Sequence, residues 1–200
     1  MGLRQSRSRD WDPGRGKKVI LVRGVRGSGR SWLCDALCQS GAIACDCIDV
    51  KKFIRTHFDP ALTRTENEHN IATKYKDLMS QSTSGVVVLI SDELITTRRT
   101  AGKFFIELAG DSLPVAYRRG HAMMLHRVTR SADQIKAAIH NWPVSNVDAV
   151  FAHFGFDFGP HDEFSKFVVD YHRAKNESAA KGYTVMPISD IKNTILKMCR

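Results

Sequence analysis

Lys17-Lys18-Val19-Ile20-Leu21-Val22-Arg23-Gly24-Val25-Arg26-Gly27-Ser28-Gly29-Arg30-Ser31-Trp32-Leu33-Cys34 is the stretch that decides the fold. A β-branched apolar run enters a glycine-rich turn, and the turn enters a helical pattern. Gly24 and Gly29 occupy both glycine positions of the phosphate-binding pattern G-x-x-x-x-G-K-[ST], and Ser31 occupies its hydroxyl position. Backbone N–H groups in such a loop point inward and, with the positive end of the helix dipole, form an anion cradle. Gly24, Gly27, Ser28, Gly29, Arg30 and Ser31 are therefore the expected nucleotide-phosphate residues, with Ser31 also placed to ligate a phosphate-bound magnesium. Arg30 stands where the pattern has lysine. A guanidinium is a wide planar fork that holds phosphate bidentately, whereas lysine is a compact point charge that follows charge between phosphate oxygens.

Outward from this stretch, strands alternate with helices, as a parallel α/β sheet requires. Strand one covers 17–23, and its helix runs to Gln39 with Gly41 as cap. Ile43 to Ile48 reads as strand two, ending at Asp49, and Lys51 to Phe58 as a short helix. Asp59-Pro60 breaks the chain before a polar helix from Arg64 to Ser80. Val86-Val87-Val88-Leu89-Ile90 is a buried strand ending at Ser91-Asp92. Thr97 is expected to cap a helix reaching Ala109, and Leu113 to Tyr117 is expected as strand four. A basic segment, 118–130, leads into a helix over 131–141. A further helix is expected over 162–176, then strand five at Tyr183 to Met186, and a last helix capped by Ser189. The segment 142–161 reads as an irregular, aromatic-rich insertion in which Phe151, Phe154, Phe156 and Phe158 favour packing over base stacking.

The chain of 200 residues, 42% hydrophobic and 26% charged, suits one domain with a buried core. No run approaches the ~18 apolar residues of a membrane span. Five cysteines without a secretory signal suit a reducing, cytoplasmic compartment. The spacing of Cys34, Cys38, Cys45 and Cys47 matches no usual zinc signature. The net charge is +9, and residues 1–18 supply +4 of it, with six basic residues against two acidic. Residues 1–16 read as a flexible basic arm preceding a domain over 17–200. The arm opens Met1-Gly2-Leu3-Arg4-Gln5-Ser6, a match to the N-myristoylation pattern, and Arg7 and Arg9 would add attraction to an anionic membrane or to nucleic-acid phosphates.

Parallel α/β sheets place ligands at the carboxyl ends of their strands. Asp49 ends strand two and is the candidate general base for an acceptor hydroxyl. Asp92 ends strand three and is a candidate for holding magnesium or the acceptor, or for capping a helix.

Lys18 to Leu33 resembles the opening of polynucleotide 5′-hydroxyl kinases and related P-loop kinases. Ile48-Asp49-Val50-Lys51-Lys52-Phe53 is similar to that family's x-D-D-Y/F segment, and Val88-Leu89-Ile90-Ser91-Asp92 to its third strand, which ends in D-T-N. His126 to Arg130 resembles its basic lid. The resemblance covers about residues 17–140 and implies a P-loop α/β/α sandwich with five parallel strands, using ATP or GTP with Mg2+. It implies Asp49 as base, Arg127 and Arg130 as lid arginines over the γ-phosphate, and Lys52 in place of an acceptor-phosphate arginine. Arg30, Val50 and Leu94 depart from the pattern. Two readings stay open: a phosphotransferase acting on a nucleic-acid 5′-hydroxyl or small hydroxylated metabolite, and a degenerate module that binds nucleotide or nucleic acid.

Overall fold

In the computed structural model, residues 11–14, 16–39, 45–97, 99–125 and 161–199 are described. Five strands form one all-parallel sheet: β1 (Lys18–Arg23), β2 (Cys45–Asp49), β3 (Val86–Ser91), β4 (Thr100–Glu107) and β5 (Thr184–Pro187), in the order β2-β3-β1-β4-β5. The helices are α1 (Arg30–Gln39), α2 (Val50–Thr56), α3 (Arg64–Gln81), α4 (Ser112–Leu125), α5 (His161–Ala180) and α6 (Ile188–Met198).

Alternation along the central strand builds two cores. Val19 and Leu21 of β1 face one cluster with Tyr75 of α3, Phe105 of β4 and Tyr171 of α5. Ile20 and Val22 face the other, with Leu33 and Leu37 of α1 and Ile191 and Ile195 of α6. A period of two in a strand buried on both faces produces this division, and helices cover each face. The expected α/β class with five parallel strands is what the chain forms.

Two elements differ from the sequence expectation. The span from Thr97 to Ala109 is not a helix: Thr100–Glu107 is β4, paired to both β1 and β5. Phe104 and Phe105 serve opposite cores, which only an extended backbone permits. Thr97 does not cap; its hydroxyl shares a 3.0 Å hydrogen bond with Thr100 Oγ1. Correspondingly, Leu113 to Tyr117 is not strand four but lies in α4. Pro114 falls in the first turn, where the backbone N–H it lacks has no helical partner to lose. The last helix starts without a Ser189 cap: Pro187 holds the N-cap position with no side-chain bond, and Ser189 lies inside the helix.

Trp11, read as part of the arm, is 6% exposed and packs edge-on against Phe53 of α2 and Tyr75 of α3. The Tyr75 hydroxyl donates to the Trp11 carbonyl at 3.1 Å. The Gly41 cap, the 131–141 helix and the 142–160 part of the insertion lie outside the described residues. Among the described residues, no helix is long and apolar enough to cross a membrane.

Candidate functional site at the carboxyl end of the sheet

The glycine loop leaves β1 between its neighbours β3 and β4 and delivers the chain to the N-terminus of α1. Gly24 extends the β-ladder by one bond, its N–H donating to the Ser91 carbonyl at 3.0 Å. Gly27 has φ +82°, and a Cβ there would strike the Ala116 carbonyl of α4. Only glycine permits both that conformation and that approach. Gly29, with φ +91°, turns the chain into α1, whose first intrahelical bond runs from the Leu33 N–H to the Gly29 carbonyl at 2.9 Å. The N–H groups of that first turn have no partner within the helix, and the end carries partial positive charge.

Ser31 is exposed at this end, and its hydroxyl donates to Asp49 Oδ2 at 3.2 Å. The two residues come from different elements, α1 and β2, and meet because both elements end at the same edge of the sheet. Asp49 also caps α2, its Oδ1 accepting the Lys52 N–H at 3.1 Å. A carboxylate has about four acceptor sites, so these two bonds leave capacity for a third partner. The Lys52 side chain is exposed beside it.

Asp92 lies just past β3 and is held on both oxygens. Arg30 Nη1 is 3.3 Å from Oδ1, and Lys51 Nζ is 2.8 Å from Oδ2. Burial alone would raise the Asp92 carboxyl, but the Arg30 charge and the Lys51 hydrogen bond outweigh it and hold the group at about 2. The Asp92 carbonyl in turn accepts from Arg23 Nε at 3.2 Å, and Arg23 is anchored on α5 through Glu177 and Ser178.

On the β4 side of the loop is a cavity of about 500 Å³, bordered by Ser28, Glu107, Ser112, Ala116, Arg119 and Ile188. Ser28 Oγ and Arg119 Nε are buried there with no hydrogen-bond partner. Burial lowers the Arg119 guanidinium from its ordinary value. Unpaired buried polar groups are costly and call for a ligand or water.

The structure thus brings together Gly24, Gly27, Ser28, Gly29, Arg30, Ser31, Asp49, Lys52 and Asp92. Arg127 and Arg130 lie outside the described residues. Two of the three departures from the kinase pattern have a packing basis: Val50 is buried in the core, and Leu94 packs against the same cluster. Lys51 and Arg119 belong to the site but were not singled out by the sequence. Lys51 had a signal, two residues beyond Asp49 in the first turn of a helix that starts at the site. Arg119 had none, since its region reads as a strand followed by a basic loop.

For a divalent cation, the hard oxygen donors available are the Ser31 hydroxyl and the Asp49 and Asp92 carboxylates. The exposed Ser31 hydroxyl fits that role, while the partly buried Asp49 beside it is the candidate base. Asp92 fits it less well, since both its oxygens serve cations. No protein-family model matches the chain, and no curated protein matches its sequence.

Proposed function

We propose that the chain is a P-loop kinase that transfers a phosphoryl group from ATP or GTP to a nucleic-acid 5′-hydroxyl or a small hydroxylated metabolite. The observation that carries this reading is the Ser31–Asp49 contact at the end of a glycine loop: a donor-side hydroxyl and an acceptor-side carboxylate 3.2 Å apart. Gly24–Ser31 would hold the donor phosphates on the N–H groups of the loop and of α1. The rest of the donor would enter the cavity beside Ser28 and Arg119, giving their unpaired atoms partners.

Asp49 would take the proton of the acceptor hydroxyl as its oxygen attacks the γ-phosphorus, and the bond to the bridging oxygen would break with release of the nucleoside diphosphate. Lys52 would hold an acceptor phosphate. Ser31 would ligate Mg2+, which when bound neutralises phosphate charge. Arg30 and Lys51 would exchange Asp92 for the donor's phosphate oxygens, and Arg127 and Arg130 would close over the γ-phosphate. Label transfer from ATP or GTP to 5′-hydroxyl oligonucleotides and nucleosides tests the proposal.

A second reading is favoured by one contact. Arg30 is drawn to Asp92, so the loop's cation is already ion-paired, which suits a module that binds nucleotide or nucleic acid without turnover. Arg30→Lys separates the two readings: a large gain in transfer marks the native loop as catalytically impaired, and unchanged transfer marks Arg30 as performing the lysine's part. We also propose cytoplasmic residence with N-myristoylation at Gly2. Intact mass from eukaryotic expression, with Gly2→Ala as control, reads that modification directly.

A further inference from the structure

The cysteines play no part in the chemistry above, yet they gather on one side of it. Cys34, Cys45, Cys47 and Cys199 all pack against the α1/α6 core. Cys38 lies one turn beyond Cys34 on α1. All five are free thiols.

Two of them are set in register by the site itself. Ser31 and Cys34 are three residues apart on α1, which places them on one face of the helix. Asp49 and Cys47 are two apart on β2, which places them on one face of the strand. Ser31 and Asp49 touch, so Cys34 and Cys47 form the next rung down the same α1–β2 seam. Their thiol groups lie within reach of each other. Both are partly buried.

We propose that Cys34 and Cys47 are a peroxide-oxidisable dithiol, whose disulfide cross-links α1 to β2 one rung below Ser31 and Asp49. The inference does not depend on the phosphotransfer reading. One thiolate of the pair attacks hydrogen peroxide, the O–O bond breaks, and its sulfur becomes a sulfenic acid with hydroxide leaving. The other sulfur then attacks the sulfenic sulfur; the S–O bond breaks, and the second thiol's proton leaves with the hydroxyl as water. Two thiols have lost two electrons to one peroxide.

The test uses the full reduced chain, treated with hydrogen peroxide, alkylated and cleaved without reductant. Trypsin leaves Cys34, Cys38, Cys45 and Cys47 in one peptide, but cleavage before aspartate cuts at Asp35, Asp46 and Asp49 and separates Cys34, Cys47 and the Cys38/Cys45 peptide. The expected product joins the Cys34 peptide to the Cys47 peptide with loss of two hydrogens, and dithiothreitol releases it. Cys38→Ser retains the product, and Cys34→Ser loses it. A Cys34 found unbridged after oxidation, or bridged to the Cys38/Cys45 peptide, overturns the proposal. The wild-type map decides this without any variant having to fold.

Discussion

Arg30 reaches Asp92 across 3.3 Å, and that contact sets the electrostatics of the whole glycine loop. The loop's cation is not left facing the N–H cradle; it is paired with a carboxylate that also holds Lys51. Two cations sharing one anion leave an excess of positive charge beside the N-terminus of α1. An incoming polyphosphate would meet both the excess charge and the helix end.

The pairing should be visible in acid. Asp92 sits at about 2 in the folded chain against an ordinary 3.8, so the folded state binds fewer protons than the unfolded state between those values. The stability it contributes is therefore complete above about pH 4 and is lost as pH falls toward 2, to a total of about 2 kcal/mol. Denaturant titrations of wild type and Asp92→Asn should differ most above pH 4 and converge near pH 2. A constant difference across that window would contradict the pairing.

Lys51 gives a separable prediction. A charge-assisted hydrogen bond contributes about 1.5–3 kcal/mol, so Lys51→Met should weaken ATP or GTP binding by roughly tenfold or more. Titration calorimetry reads this directly. Unchanged affinity would reduce Lys51 to a partner for Asp92 alone.

Much of this arrangement was legible in the sequence, for local reasons. Val19–Val22 and Val86–Ile90 are β-branched, apolar and bounded by glycine or polar residues, so their identity as buried strands depends little on the rest of the fold. Ser31 and Asp49 were legible because parallel strands deliver their ends to one edge. The exchange of strand and helix over 97–117 has a different origin. Lys103–Ile106 is extended because β1 and β5 pair with it from either side, both of them at Phe104 and Phe105, which no local pattern encodes. Gly102 argued against a helix there, and Pro114 against a strand after it. Asp92's partners were hidden because Arg30 and Lys51 are distant from it in sequence.

Trp11 belongs to the folded core. It is buried between α2 and α3, and removing a side chain of this size from a core costs about 3–5 kcal/mol. Trp11→Ala should lower unfolding free energy by that amount. Equal stability for Trp11→Ala and wild type, measured in urea, would place Trp11 outside the core.

The central claim is that Asp49 serves as base to an acceptor aligned on the loop. Its most direct test is the rate of γ-phosphate transfer from labelled ATP or GTP to 5′-hydroxyl oligonucleotides and nucleosides, compared between wild type and Asp49→Asn. The account predicts labelled acceptor with wild type, a rate lower by about 10²–10⁴-fold in the variant, and nucleotide affinity retained in both. A wild-type protein that binds nucleotide and labels no acceptor, or an Asp49→Asn variant that transfers at the wild-type rate, would contradict it.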